Sequence, residues 1–346
     1  MALASTVAAR VPSIAVIIPF YQERGGVLAA ALRSVFEQRL PADLGIDIIV
    51  VDDSSPYPAK RDVDGLDQRD SASIRIVRQA NAGPAAARNT GLNAVTADSP
   101  YIAFLDSDDQ WDPDHLTCAI ASLRDGSDAF FANNWVTPRQ DWFSAHPKFV
   151  AALCRSDTVM TADQTDMCYL SADEAVAVLI EEPLIHLSTL VVSSAVHGAV
   201  RFDRSLQTGE DHLFTLLLAD TSRRIAVAMR PLMARGANGV NFYRAALDWN
   251  SPKATWRAST TLAKYRAIER SFAHRPKLAL AARKKAAVAR DEAVFLFLRN
   301  VLRHPRENLR VAGNALRASG WRCLAALPIA VSLIVRRLRG GLDFRV

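Results

Sequence analysis

No apolar run of about 18 residues or more occurs in the 346-residue chain, which excludes an ordinary membrane-spanning helix. Residues 1–13 lack the basic start and long apolar stretch of a secretory signal and read as a flexible leader. Cysteine is scarce. Cys118, Cys154, Cys168 and Cys323 stand apart with no CxxC pair, which argues against a zinc site or redox dithiol. They read as small buried residues in a reducing compartment. Neither GxGxxG nor GxxxxGK[ST] is present, so a dinucleotide-binding domain and a P-loop NTPase are disfavoured. An NTP-dependent nucleotidyltransferase would also need a glycine-rich basic phosphate loop that is missing. There is no internal repeat and no low-complexity segment. Acidic residues are thin in the last third: from Lys253 to Val346, 21 Lys/Arg face 5 Asp/Glu, whereas residues 1–252 hold 21 Lys/Arg and 31 Asp/Glu.

Half of the residues are apolar, enough to bury a large core. Ile14 to Pro19, Ile46 to Val51, Ile74 to Val77 and Tyr101 to Leu105 are short apolar runs of the kind buried parallel strands have. Between them lie helical patterns. Gly25 to Arg39 puts Leu28, Leu32, Val35 and Phe36 on one face, and Pro84 to Val95 starts with the proline suited to a first helical turn. Pro113 to Leu123 follows the fourth strand. This alternation predicts a doubly wound, mostly parallel sheet. Further on, Ser171 to Ile180 and Gly209 to Ala219 read as helices and Leu187 to Ser193 as a strand. After about Asn250 the pattern changes to long Ala/Arg-rich helices. The expected division is a leader (1–13), a catalytic domain (14–250, halves 14–123 and 124–250) and a basic helical region (251–346).

Two acidic clusters close apolar strands: Asp52-Asp53, and Asp106-Ser107-Asp108-Asp109. Ligands bind open α/β sheets outside the carboxyl ends of the strands, so both clusters fall on the binding edge. Three carboxylates within four residues repel one another unless a cation sits among them. Hard oxygens suit Mg²⁺ or Mn²⁺, which bridge to diphosphates. Without a glycine-rich phosphate loop, metal and arginine must hold the diphosphate, and Arg88 is the candidate.

The order VIIPFYQE (16–23), IVVDDSSP (49–56), NAGPAAARNTGLN (81–93), FLDSDDQWDPDHL (104–116) and GEDHLF (209–214) resembles the family 2 glycosyltransferases of GT-A fold. The wording IIPFYQE, DDSSPYP and ARNTGLN resembles more closely still bacterial exopolysaccharide glucosyltransferases, such as those extending the succinoglycan repeat unit. The resemblance implies a GT-A, Rossmann-like sheet flanked by helices with a C-terminal helical extension. It also implies roles. Tyr21, after Pro19 and before Glu23, would lie against a uracil. Asp53, beside Asp52, would accept from the uracil N3–H. Arg88 would lie near base and phosphates. Asp106 and Asp108 would form the metal motif, with Asp108 the direct ligand. Asp211, beside Glu210, would be the catalytic base. Gln22 stands where the family's first motif usually has Asn.

Asp211 also has a physical case. Inverting transfer needs one carboxylate to take the acceptor hydroxyl proton while C1 is attacked. A metal-neutralised diphosphate leaves without a general acid, so one base suffices where a hydrolase needs two carboxylates. Glu210 and Asp211 open an apolar helix, where the dipole favours anions.

Weaker candidates have bland readings that compete closely. Trp111 would stack on a sugar or sit in the core. His186 would line the acceptor site or be a core histidine. His212 reads as a helix residue. Arg235 and Asn241 would reach the diphosphate from a glycine-hinged loop, or form an ordinary turn. In the basic region, Arg283, Lys284, Lys285 and Arg290, and the apolar Cys323 to Val335 with Arg322, Arg336, Arg337 and Arg339 beside it, suit an in-plane helix on anionic lipid. The competing reading is a core helix with a solvated basic face. Nucleic acid is disfavoured, because no stacking aromatics interleave these charges.

The resulting expectation is a Mg²⁺- or Mn²⁺-dependent inverting transferase. It would move glucose from UDP-glucose, with a β-linkage, to a lipid-linked oligosaccharide at the inner face of a bacterial plasma membrane. Alternatives are UDP-galactose or UDP-N-acetylhexosamine as donor, or a non-catalytic sugar-nucleotide or lipid-binding protein.

Overall fold

The computed structural model describes residues 11–67, 74–153, 157–160, 166–181, 184–198, 200–236, 248–300 and 304–307. The strands are β1 (Ser13–Phe20), β2 (Gly45–Asp52), β3 (Ile74–Arg78), β4 (Tyr101–Phe104), β5 (Gln110–Trp111), β6 (Ala129–Thr137), β7 (Gln140–Asp141), β8 (Asp157–Met160), β9 (Asp166–Ser171), β10 (Val191–Ser193) and β11 (Arg224–Ala234). The helices are α1 (Val27–Phe36), α2 (Ala59–Val63), α3 (Pro84–Ala94), α4 (His115–Arg124), α5 (Pro147–Leu153), α6 (Ala172–Glu181), α7 (Ser194–His197), α8 (Glu210–Thr221), α9 (Pro252–Ser271) and α10 (Pro276–Asn300).

One sheet runs in the order β3-β2-β1-β4-β10-β6-β11-β9-β8, with β5 on β11 and β7 on β6. The expected parallel arrangement holds for β3, β2, β1 and β4. Beyond β4 the sheet is mixed: β10 runs antiparallel to both neighbours, and β6 and β11 are parallel to each other. The parallel half is apolar on both faces because helices cover both. Ile14, Val16, Ile17 and Ile18 are fully buried, as are Ile48, Ile49, Val50 and Val51. Helix α1 buries Leu28, Leu32 and Val35. Its first turn is held by Asp62, whose carboxylate accepts from Gly26 N at 2.8 Å and Leu28 N at 3.2 Å. Helix α3 lies so close to β1 that a Cβ on Gly91 would come 2.4 Å from Ile17 Cγ2.

The chain divides into two compact units. The first comprises residues 1–179, 183–202 and 218–239, and contains the sheet. The second comprises 180–182, 203–217 and 240–346. The segment carrying Glu210 and Asp211 belongs to this second unit. Within the second unit, Ala254 and Ala258 of α9 pack with Ala293 and Leu296 of α10, and Arg257 pairs with the buried Glu292 at 2.6 Å. The small alanines let the two helices approach closely. No helix among the described residues is long and apolar enough to cross a membrane.

Candidate functional site

Strands β1 and β2 end level, with Phe20 opposite Asp52, and β4 ends beside Ile17 of β1. Three loops therefore leave the carboxyl edge together. Asp52 is buried, and its two oxygens accept from Ser55 N at 2.8 Å and Ala59 N at 3.0 Å. It fixes the turn after β2, with both oxygens engaged by backbone N–H groups. Asp53 is also buried. It accepts from Gln79 Nε2 at 2.7 Å, Ala82 N at 2.9 Å and Gly83 N at 2.8 Å, fastening the loop that leads into α3. Gln22 joins three loops. Its N–H donates to Ser55 Oγ at 2.6 Å, its carbonyl accepts from the same hydroxyl at 2.7 Å, and its amide donates to Ser107 Oγ at 3.1 Å. The longer Gln thus serves the position where the family motif has Asn. Tyr21 and Glu23 are exposed at this edge, and Pro19 is half-buried.

The acidic cluster follows β4. Asp106 Oδ1 accepts from Arg88 Nη2 at 2.8 Å, and the buried Arg88 guanidinium lies 5.5 Å over the Phe202 ring. Ser188 ties two acids together: its Oγ accepts from Asp106 N at 3.0 Å and donates to Asp109 Oδ2 at 2.6 Å. Gly236 N donates to Asp109 Oδ1 at 3.0 Å, and His186 Nδ1 stands 3.5 Å from Asp109 Oδ2. Burial pushes the Asp106 carboxyl up, but Arg88 and His186 outweigh it and hold it below its usual range. Burial, then the neighbouring Asp109 and Asp106 charges, push Asp108 up to about 7. Burial and the Asp106 charge push Asp109 up to about 7, against hydrogen bonds from Ser188 and Gly236.

Asp106, Asp109 and His186 each offer one donor atom, all within 4.8 Å of one another. Two carboxylates and an imidazole fit a divalent ion such as Mn²⁺. Carboxyls raised by mutual repulsion are what such an ion would relieve. The expected pair was Asp106 and Asp108. The geometry gathers Asp106 with Asp109 and His186, and leaves Asp108 beside them. A Cβ on Gly236 would come 1.7 Å from the Asp108 carbonyl oxygen, so the 235–236 backbone lies flush on this turn. Ser188 and the ligand-like place of Asp109 were missed. Asp109 was within sight in the DSDD run, whereas Ser188 carries no motif.

The remaining candidates are placed variously. Of the two readings of Trp111, its surroundings are those of the core: it is buried, its indole N–H donates to Ser188 O at 2.6 Å, and His115 stacks on its ring at 4.8 Å. Arg235 is clamped, with Nε donating to Asn134 Oδ1 at 2.7 Å and its guanidinium 4.3 Å over the Trp142 ring. Asn241 lies outside the described residues, as do Cys154, Cys323 and the segment Cys323 to Val335. Cys118 and Cys168 are buried.

In the second unit, Gly209 has φ +78° and turns the chain into α8. Glu210 is buried and Asp211 half-buried in the first turn, where Asp211 Oδ1 accepts from His212 N at 2.7 Å. His212 is buried, its ring edge-on to Tyr265 at 6.2 Å. Of the basic residues on α10, Arg283 pairs with Glu269 at 2.7 Å, Lys285 with Glu181 at 3.2 Å and Arg290 with Asp291 at 2.8 Å. Lys284 is exposed, as are Lys277, Leu280 and Val288.

Three comparisons bear on this arrangement. The profile of Glycosyl transferase family 2 matches residues 15–171. The succinoglycan biosynthesis protein ExoW of Rhizobium meliloti (strain 1021) is 32% identical over 327 residues, covering 94% of this chain and 98% of that protein. The minor teichoic acid biosynthesis protein GgaA of Bacillus subtilis (strain 168) is 34% identical over 101 residues, 29% of this chain and 22% of that one. Among solved structures, S. aureus TarS 1–349 in complex with UDP superposes with a TM-score of 0.56 at 16% identity, covering 96% of this chain and 93% of that one. At that identity the likeness is one of fold, the GT-A type that the motif order implied.

Proposed function

The chain belongs to glycosyl transferase family 2, and from that premise we propose that it is an inverting hexosyltransferase of exopolysaccharide synthesis, moving glucose from UDP-glucose to a lipid-linked oligosaccharide. The observation that carries this is the likeness to the succinoglycan protein along almost the whole of both chains. A UDP-sugar donor is favoured because the solved relative of the same fold is a UDP complex.

In this reading Asp53 and the Asn81–Gly83 loop it fastens wall the base pocket, with Tyr21 exposed beside it. Arg88 fixes Asp106 rather than reaching out freely. A divalent ion at Asp106, Asp108, Asp109 and His186 would neutralise charge developing on the leaving diphosphate. Asp211 takes the proton of the acceptor hydroxyl, and an α-linked donor sugar inverts to a β-linked product. Attachment at the inner membrane face is supported by the exposed Lys277, Leu280, Lys284 and Val288 on α10.

The test is UDP release by the purified protein across a panel of UDP-sugars, with Mn²⁺ or Mg²⁺ and with EDTA. Metal-dependent release from UDP-glucose is the expected result. Release from UDP-galactose or UDP-N-acetylglucosamine alone would replace the donor. No UDP binding with any metal would remove the uridine site, leaving the non-catalytic reading.

A further inference from the structure

Helix α9 of the second unit presents one cation that the family motifs leave out. Lys264 is half-buried, and its stem lies across Gly209: a Cβ added there would meet Lys264 Cδ at 2.3 Å and Cγ at 2.8 Å. Gly209 is therefore required twice, for its positive φ and for the room that the lysine stem fills. The ammonium lies 4.5 Å over the ring of its neighbour Tyr265, and His212 meets that ring from the α8 side. Among the described residues Lys264 has no ion-pair partner within 4.0 Å. A cation drawn partly out of water without a bonded counter-ion is costly, and such groups mark functional ground. Two charged groups act on it: Asp211 in the first turn of α8, and Lys285 on α10, itself paired with Glu181.

We propose that Lys264 is a positioning residue for Asp211: its stem holds the Gly209 turn, and its ammonium supplies the positive charge that the base works against. The inference rests on the reading of Asp211 as the base. It gives α9 a part in the reaction beyond packing.

Burial brings the Lys264 ammonium down to about 8, with Asp211 opposing the fall and Lys285 adding to it. Activity that needs the charged form is full below that pH and falls as pH rises through it. The titration can be read without turnover. In the full-length protein, reductively methylated with ¹³C-formaldehyde, the Lys264 methyl resonance is assigned with Lys264→Arg and followed against pH. The expected result is a midpoint near 8 that moves lower in Asp211→Asn, because the carboxylate that favours the charged amine is gone. An unchanged midpoint in Asp211→Asn overturns the proposal.

UDP release gives the second arm. Lys264→Met lowers kcat by roughly tenfold to a hundredfold, the range for a displaced catalytic group, with the KM for the UDP-sugar little altered. Lys264→Arg recovers activity and carries it past pH 8. Equal loss in both variants with an unshifted pH profile would mean a packing role only. Full activity in Asp211→Asn would remove the base reading itself, a result separable from failure of the lysine alone.

Discussion

Asp108 and Asp109 follow the same apolar strand as Asp106, yet burial and shared repulsion set them apart. Both carboxyls are raised to about 7 in the folded chain. Between the ordinary carboxylate range, near about 4, and about 7, the folded state holds protons that the unfolded chain has released. Stability without metal therefore falls as pH rises through that window. A divalent ion replaces those protons, so added Mn²⁺ should raise Tm more at pH 8 than at pH 5, by several degrees at about 2 °C or more per kcal/mol. Differential scanning calorimetry at the two pH values checks this, and Asp109→Asn should flatten both dependences. Equal shifts at both pH values would argue against ion binding at these acids. Asp211→Asn should lower UDP release by roughly a hundredfold to ten-thousandfold with an unchanged circular dichroism spectrum, the loss of a general base. Asp52 makes the contrasting case. Its oxygens serve Ser55 N and Ala59 N, so Asp52→Ala should cost about 1–3 kcal/mol in urea unfolding by stranding buried donors.

At the scale of elements, two glycines decide how closely backbone approaches backbone. Gly91 lets α3 lie on β1, and Gly91→Ala should destabilise by about 1–3 kcal/mol as the helix moves off Ile17. Gly236 sets the end of β11 against the Asp108 carbonyl. Gly236→Ala should abolish metal-dependent UDP release, since backbone on that side cannot give way as a side-chain tip does. Strands β1, β2 and β4 were legible because each is a compact apolar run that the fold buries, and α3 because Pro84 marks its start, whereas β3 is an edge strand with no fully buried residue. The second half was harder to read. Strand β6 carries buried Asn133 and Asn134, and β11 includes Pro231 where its register with β6 shifts. Polar residues and irregular pairing interrupt the periodicity on which a sequence reading depends. The run Leu187 to Ser193, read as one strand, opens instead with a single 3₁₀ turn (Leu187–Thr189) before β10. That turn is what brings Ser188 beneath Asp106 and Asp109.

Across the whole molecule, charge and sequence position part company. The basic excess after Lys253 is a property of composition, but Arg283, Lys285 and Arg290 spend part of their charge on Glu269, Glu181 and Asp291. Binding to phosphatidylglycerol vesicles should persist at low salt, weaken at high salt and weaken further in Lys277→Glu/Lys284→Glu, as read by co-sedimentation. Binding indifferent to both changes would remove the α10 face from the membrane reading. The order of five motifs determined the family and the fold type and put the acidic clusters at the carboxyl edge, because motif residues sit at strand ends whose spacing is local. Only the tertiary structure decided that Asp52 is committed to backbone, that Trp111 is core, that His186 and Ser188 join the acids, and that Lys264 lies across Gly209. Those outcomes turn on which distant segments pack together, and a side chain's burial and partners are set by neighbours that sequence spacing does not record.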